Sequence, residues 1–197
     1  MTNSEIKAYW LSEGQEVTIF SPAILQPLLL QEHTEKFLSI VGLPSEAAPY
    51  LSFSTNTQGS WNSIARIIDI DTALDSSFKN FIQIGSDGSG NAIAIDTEKN
   101  DIIELLDHDN GFKLIFINSS IESFAFSLVA YSRFISSVLA SGEENSYFDT
   151  HFTDEQFNLL KNRLILADND FDKSEFWYSE LDMLLGNREA YKNESGD

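Results

Sequence analysis

Four short runs, Phe81 to Ile84, Ala92 to Ile95, Asp101 to Leu106 and Lys113 to Ile117, follow one another with only SDGSGN, DTEKN and DHDNGF between them. The runs are apolar or β-branched, and the connections are turn chemistry: Gly supplies left-handed backbone, while Asp, Asn and Ser satisfy their own main chain. Consecutive strands joined this closely pair antiparallel as a meander, because a parallel return needs a crossover of a dozen or more residues.

Helical patterns flank the meander. Thr34 to Val41 (TEKFLSIV) reads as a short helix stopped by Gly42, with Pro44 beyond it. Leu51 to Ser54 and Ile64 to Ile70 read as further strands. After the meander, Ser119 and Glu122 have the spacing of a capping box, and Ile121, Phe124, Ala125, Leu128 and Ile135 trace one apolar helix face. Thr153 with Gln156 caps a second helix facing inward through Phe157, Leu160 and Leu164. Asp172 with Glu175 caps a third, which carries Trp177, Leu181 and Leu184 and ends at Gly186. Helices before and after an antiparallel meander define an α+β fold, expected as a single domain over 1–190 with 191–197 a frayed tail.

The 197 residues suffice for a sizeable core, and 42% hydrophobic with 12% aromatic content excludes a disordered chain. The absence of Cys excludes disulfides, thiolate zinc sites and a cysteine nucleophile. MTNSEIKAYW has no basic and apolar leader pattern, and the apolar run Pro22 to Leu30 is far short of the ~20 residues of a membrane span. A cytoplasmic protein is expected. The formal charge of −19 is the strongest bulk signal, and it is uneven. Residues 1–95 carry 10 acidic and 4 basic side chains, residues 96–197 carry 21 and 8. Such a surface repels nucleic acid and anionic membranes and draws in basic partners.

The Gly-rich stretch "IGSDGSGNAIAID" (84–96) invites three readings: a phosphate cradle, a calcium loop or a turn. It lacks the Gly-Lys-Ser/Thr ending of a phosphate loop, and the element after it is a strand, which offers no helix N-terminus to an anion. For calcium, Asp87, Ser89, Asn91 and Glu98 fall at ligand positions, but Ala92 occupies the place that needs Gly. A hairpin turn is the reading that remains. In "ADNDFDKSE", Asp168, Asp170 and Asp172 have metal-like spacing, but Lys173 stands where Gly is required and Ser179 where the bidentate acid belongs. His33, His108 and His151 form no HExxH pattern, and no Ser sits in a GxSxG elbow. No metal site, cofactor or catalytic constellation is expected.

The order of these elements resembles the SUKH superfamily of bacterial immunity proteins, which includes the domain of a fungal cell-wall regulator. The likeness is carried by residues 78–128: Ile84-Gly85, Asp87-Gly88, Gly90, Asp96, then Asn118-Ser119-Ser120 with Phe124. "FLSIVGLP" (37–44) and Trp177 look like the fourth SUKH group. The resemblance implies a non-catalytic protein that binds and neutralises a cognate toxin of a polymorphic or contact-dependent system. An acidic inhibitor suits a basic toxin such as a nuclease, which needs positive charge where it grips phosphate. The expected partner is therefore a basic toxin protein, with no direct nucleic-acid or membrane contact and the chain a monomer or weak homodimer. Expected contact residues are Asp87, Asp96, Glu104, Asp107 and Asp109, on and near the sheet-side loops. Two alternatives stand beside this: a cytoplasmic regulatory scaffold for a cellular protein, and a hydrolase assembled from scattered acids.

Overall fold

The computed structural model describes residues 1–57, 62–141, 147 and 150–195. In chain order the helices are α1 (Asn3–Ser12), α2 (Pro22–Leu25), α3 (Glu32–Ile40), α4 (Ile67–Ile70), α5 (Ile121–Ser141), α6 (Asp154–Ala167) and α7 (Glu175–Ser195). The strands are β1 (Val17–Thr18), β2 (Leu43–Pro44), β3 (Glu46–Ala47), β4 (Leu51–Phe53), β5 (Ala65–Arg66), β6 (Phe81–Ser86), β7 (Ala92–Asp96), β8 (Ile102–Asp107) and β9 (Lys113–Asn118). The architecture is α+β with antiparallel sheets, as the meander requires.

Strands β6 to β9 pair in sequence, each antiparallel to the next, and β4 and then β3 extend the sheet beyond β6. Alternation sends Ile82, Ile84, Ile93, Ile95, Ile103, Leu105 and Ile117 to the face covered by α5, in a core that runs from Ile6 to Leu184. Phe81, Ala94 and Leu106 point the other way and form a smaller cluster with Ile67. Helix α5 is long and apolar enough to cross a membrane by length and composition alone. Here it is the central core helix, with Phe124, Tyr131 and Val138 fully buried.

Two glycines are dictated by close approach. Gly85 follows an irregularity in the β6–β7 register, and a Cβ on it would collide with the Ser52 carbonyl oxygen of β4. Gly42, at φ +80°, ends α3 with its α-carbon against the Thr18 carbonyl.

Several local expectations shift. Ile64 to Ile70 is not one strand: β5 is only two residues long, and α4 follows. The reason is space, since β4 already occupies the Gly85–Ser86 half of the same β6 edge and leaves only Ile82–Gln83 for β5. Arg66 then turns the chain away, donating to the carbonyls of Pro27, Leu28 and Lys79. The cap of α5 is Ser120, whose Oγ accepts from Ser123 N at 3.1 Å, rather than Ser119. The cap of α7 is Ser174, accepting from Trp177 N at 3.2 Å, while Asp172 lies in the preceding 3₁₀ turn. The capping box of α6, Thr153 with Gln156, forms as read. Helix α7 passes through Gly186 and reaches Ser195, so it extends into the segment read as tail, of which 196 and 197 lie outside the described residues. Arg188 holds the later turns: it stacks over the Phe152 ring at 4.7 Å and pairs with Asp154 at 2.9 Å. A mid-helix glycine costs ~1 kcal/mol, and the helix continues past it with Arg188 as its anchor. Helix α1 had no expectation, although Thr2 and Glu5 form a complete capping box in front of it.

Ser119 has another partner. Asp168, 3% exposed, accepts from Ser119 N and Ser119 Oγ, both at 2.7 Å, and from Asn118 Nδ2 and Asp170 N, both at 2.9 Å. Asn118 Oδ1 accepts in turn from Trp177 Nε1 at 2.9 Å. The end of β9 is thereby tied to α6 and α7.

Replacing Gly85 by Ala places a methyl group on the Ser52 carbonyl and forces β4 off β6. Urea denaturation should show a loss of about 1–3 kcal/mol with little change in m-value.

Candidate functional site

Because the meander is antiparallel, the β6–β7 and β8–β9 connections emerge at the same end of the sheet. The first is built on Asp87. Its Oδ1 accepts from Ser89 N (2.9 Å) and Asn91 N (2.8 Å), and its Oδ2 accepts from Asn91 Nδ2 (2.9 Å). The Gly-rich loop is thus a turn whose acid is spent on its own backbone, with Gly90 left-handed at φ +87°. Asn91 Oδ1, left facing the second loop, accepts from His108 N at 3.0 Å and lies 2.6 Å from His108 Nδ1. Since Nδ2 of Asn91 is committed to Asp87, Nδ1 of His108 carries the hydrogen. This clasp joins the two hairpin loops. Beside it, Asp107 accepts from Asn110 Nδ2 at 2.6 Å, and the Asp109 side chain is 82% exposed.

Asp96 and Glu104 are elsewhere and inside. They are 3% and 4% exposed and share Lys99, whose Nζ lies 3.2 Å from Asp96 Oδ2 and 3.1 Å from Glu104 Oε1. Asp96 Oδ1 also accepts from Glu98 N, closing the β7–β8 turn. Burial pushes the Glu104 carboxyl above its ordinary pKa; Lys99 opposes the shift and the neighbouring Asp96 adds to it. The five acids expected to act together therefore divide. Asp87, Asp107 and Asp109 share one end of the sheet, while Asp96 and Glu104 are buried carboxylates bridged by the half-exposed Lys99.

Next to the acidic end lies a groove of about 540 Å³ that local sequence patterns do not announce. One wall is the edge strand β3 and the turn after it, Glu46 to Ser52, and the other is Ile135 and Leu139 of α5, with Tyr147 also lining it. Tyr50 stands at its rim, 67% exposed and left-handed at φ 56°. A Cβ on Gly88 would lie 3.3 Å from Tyr50 Cβ, so the β6–β7 loop rests directly against the groove rim. A smaller pit of about 40 Å³ shares Gln15, Glu46, Ala47 and Ala48 and adds Glu13. The described residues lining both are apolar, polar or acidic; none is Lys or Arg.

Behind the groove is a partly buried acid. Glu180 of α7 keeps Oε2 out of solvent with no hydrogen-bond partner among the described residues. Burial pushes its pKa up to about 7; the nearby Tyr131 hydroxyl works the other way and the Asp87 charge adds to the rise. Tyr131 and Tyr147 pair through their hydroxyls at 3.4 Å, and burial raises both phenol pKa values. Among the described residues lining the groove none is His, and Ser52 is the single serine. No group of three or more His, Asp or Glu among the described residues is placed to hold a metal.

The family model of the SUKH-4 immunity proteins matches residues 10–163, well over half of the chain. The chain belongs to the SUKH-4 immunity protein family. No curated protein and no solved structure matches it. The family match takes in the meander, the Asn118-Ser119-Ser120 entry to α5, the acidic hairpin end and the groove wall on α5. It stops short of Asp168, Trp177 and Glu180, which the fold nevertheless brings against it.

Glu180 binds its proton more tightly folded than unfolded, so the folded state is favoured at low pH and loses that advantage between about 4.5, its ordinary value, and about 7. Glu180→Gln should remove this part of the pH dependence. Chemical denaturation at pH 5 and pH 8 should show the variant gaining roughly 2–3 kcal/mol over the parent at the higher pH.

Proposed function

We propose that this chain neutralises a cognate bacterial toxin by binding it one-to-one, without catalysis, in the cytoplasm. The toxin surface it meets is basic, as in a nuclease whose phosphate-gripping face must carry Lys and Arg. Membership of an immunity-protein family is the observation that carries this reading. Charge supports it: a formal −19 over 197 residues raises the encounter rate with a cationic partner and disfavours nucleic acid itself.

Within that reading the contact surface is the hairpin end that bears Asp87, Asp107 and Asp109. Asp96 and Glu104, buried and bridged by the half-exposed Lys99, support the strands that present it. Blockade then follows from steric cover of the toxin's substrate path, with electrostatics setting speed and orientation more than final affinity.

The test uses the toxin domain from the reading frame beside this chain's gene. Coexpression should restore growth, and the two purified proteins should form a 1:1 complex; no rescue and no complex would refute the reading. The combined variant D107N and D109K removes negative charge and leaves the Asp87 turn and its Asn91 contacts intact. Stopped-flow association should slow by roughly tenfold or more at low salt and lose most of its salt dependence. An unchanged rate and salt slope would take this end of the sheet out of the interface.

A further inference from the structure

The groove beside β3 has features that core packing does not account for. Tyr50 holds a left-handed backbone and exposes 67% of its surface, and Leu139 is 40% exposed one turn after Ile135. An exposed aromatic on a conformation that non-glycine residues avoid is a feature that binding surfaces use. The groove has an edge strand as one wall, and β3 is the last strand on that side of the sheet. The described residues lining it and the adjoining pit include Glu46 and Glu13 and no Lys or Arg, and Asp87 sits in the loop against Tyr50; Arg133, stacked on Tyr9 at 4.9 Å, is a cation beside the pit wall.

We propose that this groove takes an extended segment of the toxin, apolar along its length and carrying a lysine or arginine that reaches Glu46 and Glu13. The inference rests on the toxin-binding reading above and gives it an anchor point. Size and chemistry select this occupant. About 540 Å³ accommodates a few side chains rather than a folded element. A small polar metabolite would need several converging polar groups, whereas the lining here is mainly Ala, Pro, Leu, Ile and Tyr. An extended peptide can add to the edge of a sheet through its main chain while alternate side chains fill the pocket. A cationic side chain there meets acids and no competing Lys or Arg among the described lining residues. The acidic hairpin end and the groove then form one continuous contact, the first steering the partner and the second holding it.

Photo-crosslinking tests this with the full chain and the same toxin domain. Benzoylphenylalanine is placed at Leu139 in the groove or, as a control, at Leu166, which is 76% exposed on α6. Position 139 should crosslink to one toxin segment containing Lys or Arg, and position 166 should not. Glu46→Lys should weaken the complex at least tenfold, with an unchanged circular dichroism spectrum. A complex that forms but crosslinks from 166 and not from 139, or to a segment with no basic residue, overturns the groove inference and leaves toxin binding standing. An undiminished affinity for Glu46→Lys overturns it as well. Absence of any complex sinks both.

Discussion

The fold depends on one buried carboxylate. Asp168 takes three hydrogen bonds from the turn between β9 and α5 and a fourth from Asp170 N in its own loop, and neutral donors supply all of them. Asn118, itself buried, would otherwise leave its amide unpaired in the core, so acid and donors stabilise one another. Through Asn118 the network reaches the Trp177 indole, and Ser174 Oγ donates to the Ile117 carbonyl. These bonds seat α7 against the sheet, and with it Phe176, Leu181 and Leu184. Together they give α7 polar anchor points on the sheet in addition to its hydrophobic contact.

This also explains the Asn-Ser-Ser sequence at the turn into α5. Its three residues divide the labour: Asn118 and Ser119 bind the carboxylate, and Ser120 caps the helix. The family match ends at residue 163, before Asp168. The motif therefore lies within the matched region while its main partner lies outside it.

The meander, its turns and α6 were legible because their signals are local: period-2 apolar runs, Asx turns and a capping box. Misplacements arose where a distant partner competed for a local group. Ser119 is a sound helix cap by spacing, but Asp168 claims it from 49 residues away. The strand expected at Ile64 to Ile70 was cut short by β4, which lies on the same edge of β6. The acids show the same limit. Sequence gives Asp96 and Glu104 as two more negative charges, and only the pairing of β7 with β8 brings both to Lys99. The groove was illegible for a related reason: its lining comes from three separate parts of the chain, represented by Gln15, Tyr50 and Leu139.

The Asn91–His108 clasp has a mechanical meaning. Two hairpin tips that would otherwise move separately share a side-chain amide, so the strand ends from β6 to β9 behave as one edge. A partner touching either tip meets a surface already ordered, and little loop entropy is lost when it docks. A push on the Asp87 loop is passed through the Asn91 amide to the loop that bears Asp107 and Asp109.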